Sequence, residues 1–475
     1  MYDDSITNHV TPRDLVCHRT GVPRHDLVWY IQDNLSLEYF VNCCKYLENN
    51  KDLRSSWQYN NIMFCIAGSI IEKLTNKSWK DNVYEHIFHP LSMSRSNCSL
   101  TISEQDQDYA LPYKKVNNKI IAIPFHHLDS VGPAGAINSC VEDMASWMIL
   151  HLNMGLWKNK QLINPSTIKE LHREQILLPG MQDMGYALGW LIENYQGYNI
   201  VAHDGGINGF TSCLALCPKE KIGVVILTNL EETSLPNILV HHVIDLMLNL
   251  PSQNVSEKQL KEMQTAEKII KQAHDNITLV KINNTSPSHP LETYLGEYDH
   301  PAYGTIKITL TDKQLFLSHG DKIDMPIDHF HYDTFISSIS YLSSQYITLL
   351  FNTNRFGEID SISMPLEPKV KDIVFLKKSD KQLLDPSYLK QFVGQYKLDD
   401  TQINIYLDNT QLKLIDITGE EETLIAKNNN IFTCKNSPSE RVHFIFNTDG
   451  SVKELWLENE IGITIMTKEI STFKN

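Results

Sequence analysis

Apolar residues recur every four positions from Ile62 through Ile66 and Ile70 to Leu74, with Met63 and Ala67 alongside, and this spacing predicts an amphipathic helix over Tyr59–Leu74. Asp143–Asn153 reads as a second helix. Leu214–Leu216 and Gly223–Leu227 are short apolar runs separated by Pro218-Lys219-Glu220-Lys221, the pattern of a β-hairpin with a charged turn. From Thr11 to about Asn249 helical stretches alternate with such runs, which predicts an antiparallel sheet flanked by helices. Ser256–Asp275 then carries Leu260, Met263, Ala266, Ile270 and Ala273 at helical spacing among Lys, Glu and Gln, as a connecting helix would. Asn283–Pro290 has the composition of a linker.

Beyond Leu291 the pattern changes to short strands and turns, and it repeats. Leu295-Gly296-Glu297-Tyr298 returns 98 positions later as Val393-Gly394-Gln395-Tyr396. The alternation Ile306, Ile308, Leu310, then Leu315 and Leu317, returns 97 positions later as Ile403, Ile405, Leu407, then Leu412 and Leu414. Phe351-Asn352-Thr353-Asn354 is matched by Phe446-Asn447-Thr448-Asp449. Two copies of one β-unit are expected, each closed into a small barrel because closure removes exposed strand edges. Small barrels are filled mainly by their own side chains, which gives these units a packing or substrate-gating role. The expected organisation is residues 1–252, a connector at 253–289, and β-units at 290–380 and 381–475.

Composition narrows the function classes. With 42% hydrophobic and 21% charged residues in 475 positions, the chain has the material for several cores. Its 42 Lys and Arg against 57 Asp and Glu give a net charge of -15, the opposite of a general polyanion binder, so no nucleic-acid partner is expected. Apolar runs such as Ile62–Ile71 fall short of the roughly 20 residues that span a bilayer, and no transmembrane segment is expected. Met1-Tyr2-Asp3-Asp4 begins no export signal, although a start lying further upstream would conceal one. The nine scattered cysteines, Cys43 and Cys44 adjacent, make a poor disulfide framework and fit a reducing compartment.

H-E-x-x-H, paired C-x-x-C, a phosphate loop and G-x-S-x-G are all absent from the sequence, and no metal or cofactor is expected. The histidine pairs His126-His127, His241-His242, His86 with His89 and His329 with His331 lack further ligands at established spacing. An ordered series stands out instead. Val10-Thr11-Pro12-Arg13-Asp14-Leu15 leads to His18-Arg19-Thr20-Gly21-Val22-Pro23, then Tyr59-Asn60-Asn61, then Pro90-Leu91-Ser92-Met93. Gly132-Pro133-Ala134-Gly135 precedes Asp143-Met144, and Gly189-Trp190 and His203-Asp204-Gly205-Gly206 come last, before the hairpin. Any one of these occurs by chance: Tyr59 alone reads as a half-buried phenol, Asn61 as a helix cap and His203 as a core histidine.

In this order and spacing, over Tyr2–Leu250, the series resembles the serine β-lactamase and penicillin-binding-protein superfamily, most of all its class-C-like branch of esterases, amidases and D-aminopeptidases. The resemblance implies a β-lactamase/transpeptidase-like α/β (α+β) domain, and the G-x-Y openings resemble lipocalin-like appendages. It implies acyl transfer on an amide, an ester or a D-amino-acid peptide, with a small-molecule or peptide substrate as partner. Tyr59 would relay the proton of an attacking serine, which near neutral pH demands cationic neighbours. Asn61 would orient the substrate amide or a catalytic lysine. His203 stands where relatives commonly carry the lysine of a K-T-G box; being mostly neutral at pH 7, it should attract a substrate carboxylate less and favour esters and simpler amides. Gly205 and Gly206 would border the substrate, with the Gly206 N–H as an oxyanion donor.

In that family the acylated serine and its lysine form an S-x-x-K motif on a buried helix, placed upstream of the segment that opens here at Tyr2. Matches to the pattern here include Ser166-Thr167-Ile168-Lys169 and Ser387-Tyr388-Leu389-Lys390, one resembling the cap of a surface helix and the other within the β-repeats, and these two read as chance matches. A domain truncated at its N-terminus is therefore expected, through a later start, a shortened gene or descent as a non-catalytic homologue. As written it is expected to be inactive and to leave apolar faces uncovered. The alternative is a non-catalytic protein that binds a peptide or ligand in the same cleft.

Overall fold

In a computed structural model the chain is described over residues 1–469 except 31, 33, 34, 117, 118, 252, 321, 322, 340–344, 355, 356, 380, 428, 429, 438 and 460, and without the side chains at 267, 270, 271, 273–279, 338, 339, 345 and 381. Helix Asn61–Thr75 starts where Asn60, fully buried, turns its side-chain oxygen onto the amides of Ile62 and Met63. Its buried side is built from Ile62, Met63, Cys65, Gly68 and Ser69, whereas Leu74 is 79% exposed. A strict spacing of four slips against 3.6 residues per turn, and after twelve residues the stripe has rotated roughly 120° off the core. Gly68 lies so close to Pro133 that a Cβ would run into its ring, which is how Gly132–Gly135 packs on this helix.

Six antiparallel strands form the sheet of this head region, in the spatial order 222–228, 210–217, 198–207, 191–195, 184–186 and 176–177. The hairpin Phe210–Cys217 with Ile222–Thr228 turns through Pro218–Lys221, as its charged turn predicted. Helix Val141–Leu152 covers one face over Val201, Leu214 and Leu216, and helix Leu235–Leu248 covers the other over Ile200, Cys213, Ala215 and Cys217. This is the antiparallel sheet flanked by helices that the alternating pattern predicted. All nine cysteines are free thiols. Among the described residues no helix is long and apolar enough to cross a membrane.

Helix Val255–Leu279 follows; Leu260 and Met263 on it stay largely exposed, and the side chains of Ile270 and Ala273 lie outside the described residues. Two closed eight-stranded antiparallel barrels come next, the first from Gly296–His300 to Ile373–Lys377 and the second from Gly394–Leu398 to Ile463–Lys468. The duplicated G-x-Y is the closure device of each. Tyr298 and Tyr396, both fully buried, hydrogen-bond the carbonyls of Tyr294 and Phe392, four residues back. Lys377 and Lys468 on the last strands cross these rings at 5.6 and 5.7 Å. Gly296 and Gly394 have φ of +135° and +153°, and a Cβ would approach the lysine Cε to 3.2 and 2.8 Å. Both barrels also carry a register shift near the matched asparagine segment, at Asn352/Thr353 in the first and just ahead of Asn447, at Ile445/Phe446, in the second.

The first barrel is filled by its own side chains, leaving about 30 Å3 lined by Ile306, Leu317, His319 and Phe375 among others, room for little more than a water molecule. Its apolar cluster is continuous with that of the head, running from Phe40, Leu47 and Ile62 to Tyr294, Tyr303 and Ile308. The second barrel has a separate core, and Arg441 in it pairs with Glu358 of the first at 2.5 Å.

Candidate functional site

The segment Val10–Leu15 is a clamp. Thr11 and Asp14 form the capping box of the short helix Pro12–Val16. The buried Asp14 carboxylate then takes Arg19 at 2.7 Å and Arg54 through Nε and Nη2 at 2.9 and 2.8 Å. Burial pushes this carboxyl up, and the donors from Arg54, Thr11 and Arg19 overcome it, so its pKa ends well below the usual carboxylate range. Gly21, with φ +85°, permits the chain to lie on the Lys51 carbonyl where a Cβ would collide. Backbone bonds from Arg54 to Arg19 and from Gln58 to His18 bring the His18 loop alongside the approach to Tyr59.

His18 and Tyr59 rings are 4.2 Å apart, and around them stand Phe64 at 5.1 Å and Tyr186 at 5.0 Å from His18, with Trp57 at 6.1 Å from Tyr59. The Asn60 N–H donates to His18 Nδ1 at 3.0 Å, which puts the ring proton on Nε2. Among the described residues neither that buried Nε2 nor Trp57 Nε1 has an acceptor. Burial, with lesser contributions from His203 and Arg24, lowers the His18 pKa to about 3, so the ring is neutral. Arg24 sits over the Tyr59 ring at 5.0 Å. Burial raises the Tyr59 phenol pKa, Arg24 opposes this, and Asp204 and Asp26 add to it.

His203 lies in strand Tyr198–Ile207, its ring centroid 6.2 Å from that of Tyr59. Its Nδ1 is 2.6 Å from the Asp204 carbonyl, which only accepts, so Nδ1 carries the proton and Nε2 accepts from the Tyr186 hydroxyl at 3.0 Å. Both ring nitrogens are therefore engaged. Beside it opens a cleft of about 210 Å3 between helix Val141–Leu152 and the sheet, walled by Met144, Trp147, Trp190 and Leu227 with Asp204, Gly205 and Ser212 at its polar end. A Cβ on Gly205 would stand 2.5 Å from Ser212 Oγ, so this glycine gives the serine its room; over the exposed Gly206 there is open space.

Tyr59 and His203, far apart in sequence, are thus brought together, with Gly205 and Gly206 on the same strand. Asn61 is the first residue of its helix, not the cap, and its Nδ2 donates to Asp26 Oδ1 at 3.3 Å. Ser166 and Ser387 are exposed and donate to their helix-capping residues Asn164 and Asp385 at 2.8 and 2.7 Å, as chance S-x-x-K matches would. Sequence patterns did not single out Arg24, Asp26, Trp57 or Tyr186. Tyr186 ends a strand of three residues, too short for any alternation to show. Trp57 precedes Tyr59 by two positions, and that proximity was its one signal.

The β-lactamase family profile matches residues 2–244, and a domain of unknown function (DUF3471) matches 280–377. The chain is 30% identical over 342 residues to the unguisins hydrolase ungD' of Aspergillus campestris, covering 67% of this chain and 62% of that protein. It is 25% identical over 344 residues to the unguisins hydrolase ungD of Aspergillus violaceofuscus, covering 65% and 61%. The chain therefore spans about three fifths of the length of these curated relatives. Among solved structures, the octameric penicillin-binding protein homologue from Pyrococcus abyssi aligns with a TM-score of 0.46 at 18% identity, over 79% of this chain and 82% of that one.

Proposed function

The chain belongs to the β-lactamase family, and on that premise we propose that its head carries the substrate cleft and proton relay of an acyl-transfer hydrolase acting on an amide, an ester or a D-amino-acid peptide. The observation that carries this reading is the meeting of Tyr59 and His203 beside a cleft of about 210 Å3. Tyr59 is a half-buried phenol with one guanidinium over its ring, suited to hand a proton between an attacking hydroxyl and a leaving group. His203 lines the cleft at its polar end and brings a donor and an acceptor without the fixed charge of a lysine, which suits uncharged esters and amides better than carboxylates. Gly206, open above the strand, leaves its backbone free to approach an acyl oxygen. Asn61, tied through its Nδ2 to Asp26, keeps its carbonyl oxygen for a substrate N–H. The relatives named as unguisins hydrolases support hydrolysis as the chemistry.

A second reading, the non-catalytic binding homologue, is favoured by the placement of Ser166 and Ser387, neither of which lines the cleft. Intact mass after exposure to a fluorophosphonate and to a β-lactam separates the two, read beside the melting temperature with short ester and D-peptide ligands. A covalent adduct on a serine that Tyr59→Phe slows supports the hydrolase. A melting shift without added mass, abolished by His203→Ala, supports the binder. Neither adduct nor shift refutes both.

A further inference from the structure

We propose that the first barrel acts on the candidate site through residues 23–27: Tyr303 and Glu367 of the barrel hold His25, and the backbone so held presents Arg24 to the Tyr59 ring and Asp26 to Asn61. The side chains of this segment alternate between two destinations. Arg24 lies over Tyr59 at 5.0 Å and its Nε reaches Asp26 Oδ2 at 2.6 Å, while Asp26 Oδ1 takes Asn61 Nδ2 at 3.3 Å and Trp29 Nε1 at 3.1 Å. Between them His25 and Leu27 go the other way. Leu27 lines the small cavity of the first barrel. His25, fully buried, donates its backbone N–H to Glu367 at 3.0 Å and lies 3.3 Å from the Glu48 carbonyl through Nε2, which leaves Nδ1 to accept from the Tyr303 hydroxyl at 2.7 Å.

The alternation depends on an unfavourable backbone. His25 has φ +47°, a left-handed conformation that a non-glycine residue keeps only where its surroundings over-determine it. Here the surroundings are the barrel's tyrosine and glutamate, both buried, and the Glu48 carbonyl. Without them residue 25 would relax towards an ordinary conformation and swing Arg24 and Asp26 away from the pair they touch. Arg24 is half exposed, so its seat over Tyr59 is set more by its backbone than by packing around its own head group. Arg24 and Asp26 are therefore positioning residues. This inference rests on the reading of Tyr59 as a proton relay, but the geometry it needs is measurable without turnover.

The experiment places 3,5-difluorotyrosine at position 59 of the full chain, where the ring fluorines bring the phenol towards the neutral range and give a 19F signal that follows its titration. Arg24→Gln should move the titration midpoint upward by about half a pH unit or more, from loss of a charge 5.0 Å from the ring, and Arg24→Lys by less. His25→Asn, which tolerates the left-handed backbone, should keep Arg24 near its seat and move it less, whereas Tyr303→Phe and Glu367→Ala, which remove the barrel's bonds to His25, should move it the same way as Arg24→Gln. Either combined with Arg24→Gln should add nothing further, because both act through the guanidinium. An unmoved midpoint in Arg24→Gln would overturn the proposal. So would a shift with Arg24→Gln that neither Tyr303→Phe nor Glu367→Ala reproduces, or full additivity of the combined changes. Failure of the hydrolase reading appears instead in the mass and melting measurements and leaves these midpoints where they are.

Discussion

Replacing Asp14 with asparagine removes one charge and nothing of the shape, and the consequence follows from what that carboxylate holds. It accepts from the Thr11 amide and hydroxyl at 3.0 and 2.7 Å, from Arg19 Nε at 2.7 Å, and from Arg54 Nε and Nη2 at 2.9 and 2.8 Å. Breaking a buried ion pair by removing one partner costs about 3–5 kcal/mol. The Arg54 side chain is 47% exposed and re-enters water, whereas that of Arg19 is 15% exposed and is stranded, which places the cost near the lower figure. For a unit of this size about 3 kcal/mol corresponds to roughly 6–12 °C in Tm. Six of the seven tryptophans precede residue 200, so intrinsic fluorescence reports melting of the head. A variant midpoint within about 2 °C of the parent would refute the estimate. The pH dependence is a second check. Because the folded pKa is lowered, the stabilisation is complete above the unfolded value of about 3.9 and is lost as pH falls through the folded one. The gap between parent and variant should therefore close below about pH 4; a gap that stays constant would mean that packing, not charge, explains the loss.

Three further outcomes follow from other parts of the molecule. His151 Nδ1 and His172 Nε2 are 2.9 Å apart, and burial lowers their pKa values to about 3 and about 4, so their stabilisation is complete above the unfolded pKa of about 6.5 and declines as pH falls towards 4. His172→Gln should remove up to one proton from the slope of denaturation midpoint against pH between these limits, and an unchanged slope counts against it. Gly394→Ala forces a side chain into φ +153° against Lys468 and should cost the second barrel about 1–2 kcal/mol, read as faster amide exchange in strand Ile463–Lys468, with strand Ile373–Lys377 of the first barrel as the unaffected control. His203→Lys supplies a fixed positive charge at the cleft and should tighten carboxylate-bearing ligands about threefold over their uncharged esters in thermal-shift titrations; equal affinity for both would remove His203 from the polar end of the site.

What the sequence made legible depends on how many constraints one residue type had to satisfy. The barrels were readable because closure imposes the same demands twice: a glycine where the last strand's lysine crosses, a tyrosine beneath it, and alternating apolar positions between. The helix after Asn60 was readable in existence and less so in its buried side, because an integer spacing misstates a 3.6-residue turn and carries Leu74 into solvent. Tyr59 and His203 stood out as candidates through their place in an ordered series, and the structure sets their rings 6.2 Å apart and adds what surrounds them. The surroundings were hidden for a particular reason. Arg24 and Asp26 look like two charges on a polar stretch, and nothing in their neighbours' identities states that His25 between them takes a left-handed backbone and points into another part of the fold. That conformation is dictated by Tyr303 and Glu367, some 280 and 340 positions away. Local pattern reports the residues that fold the segment they belong to. A strap whose shape is imposed from a distant barrel has no local pattern to report, and the guanidinium over the Tyr59 ring is carried on such a strap.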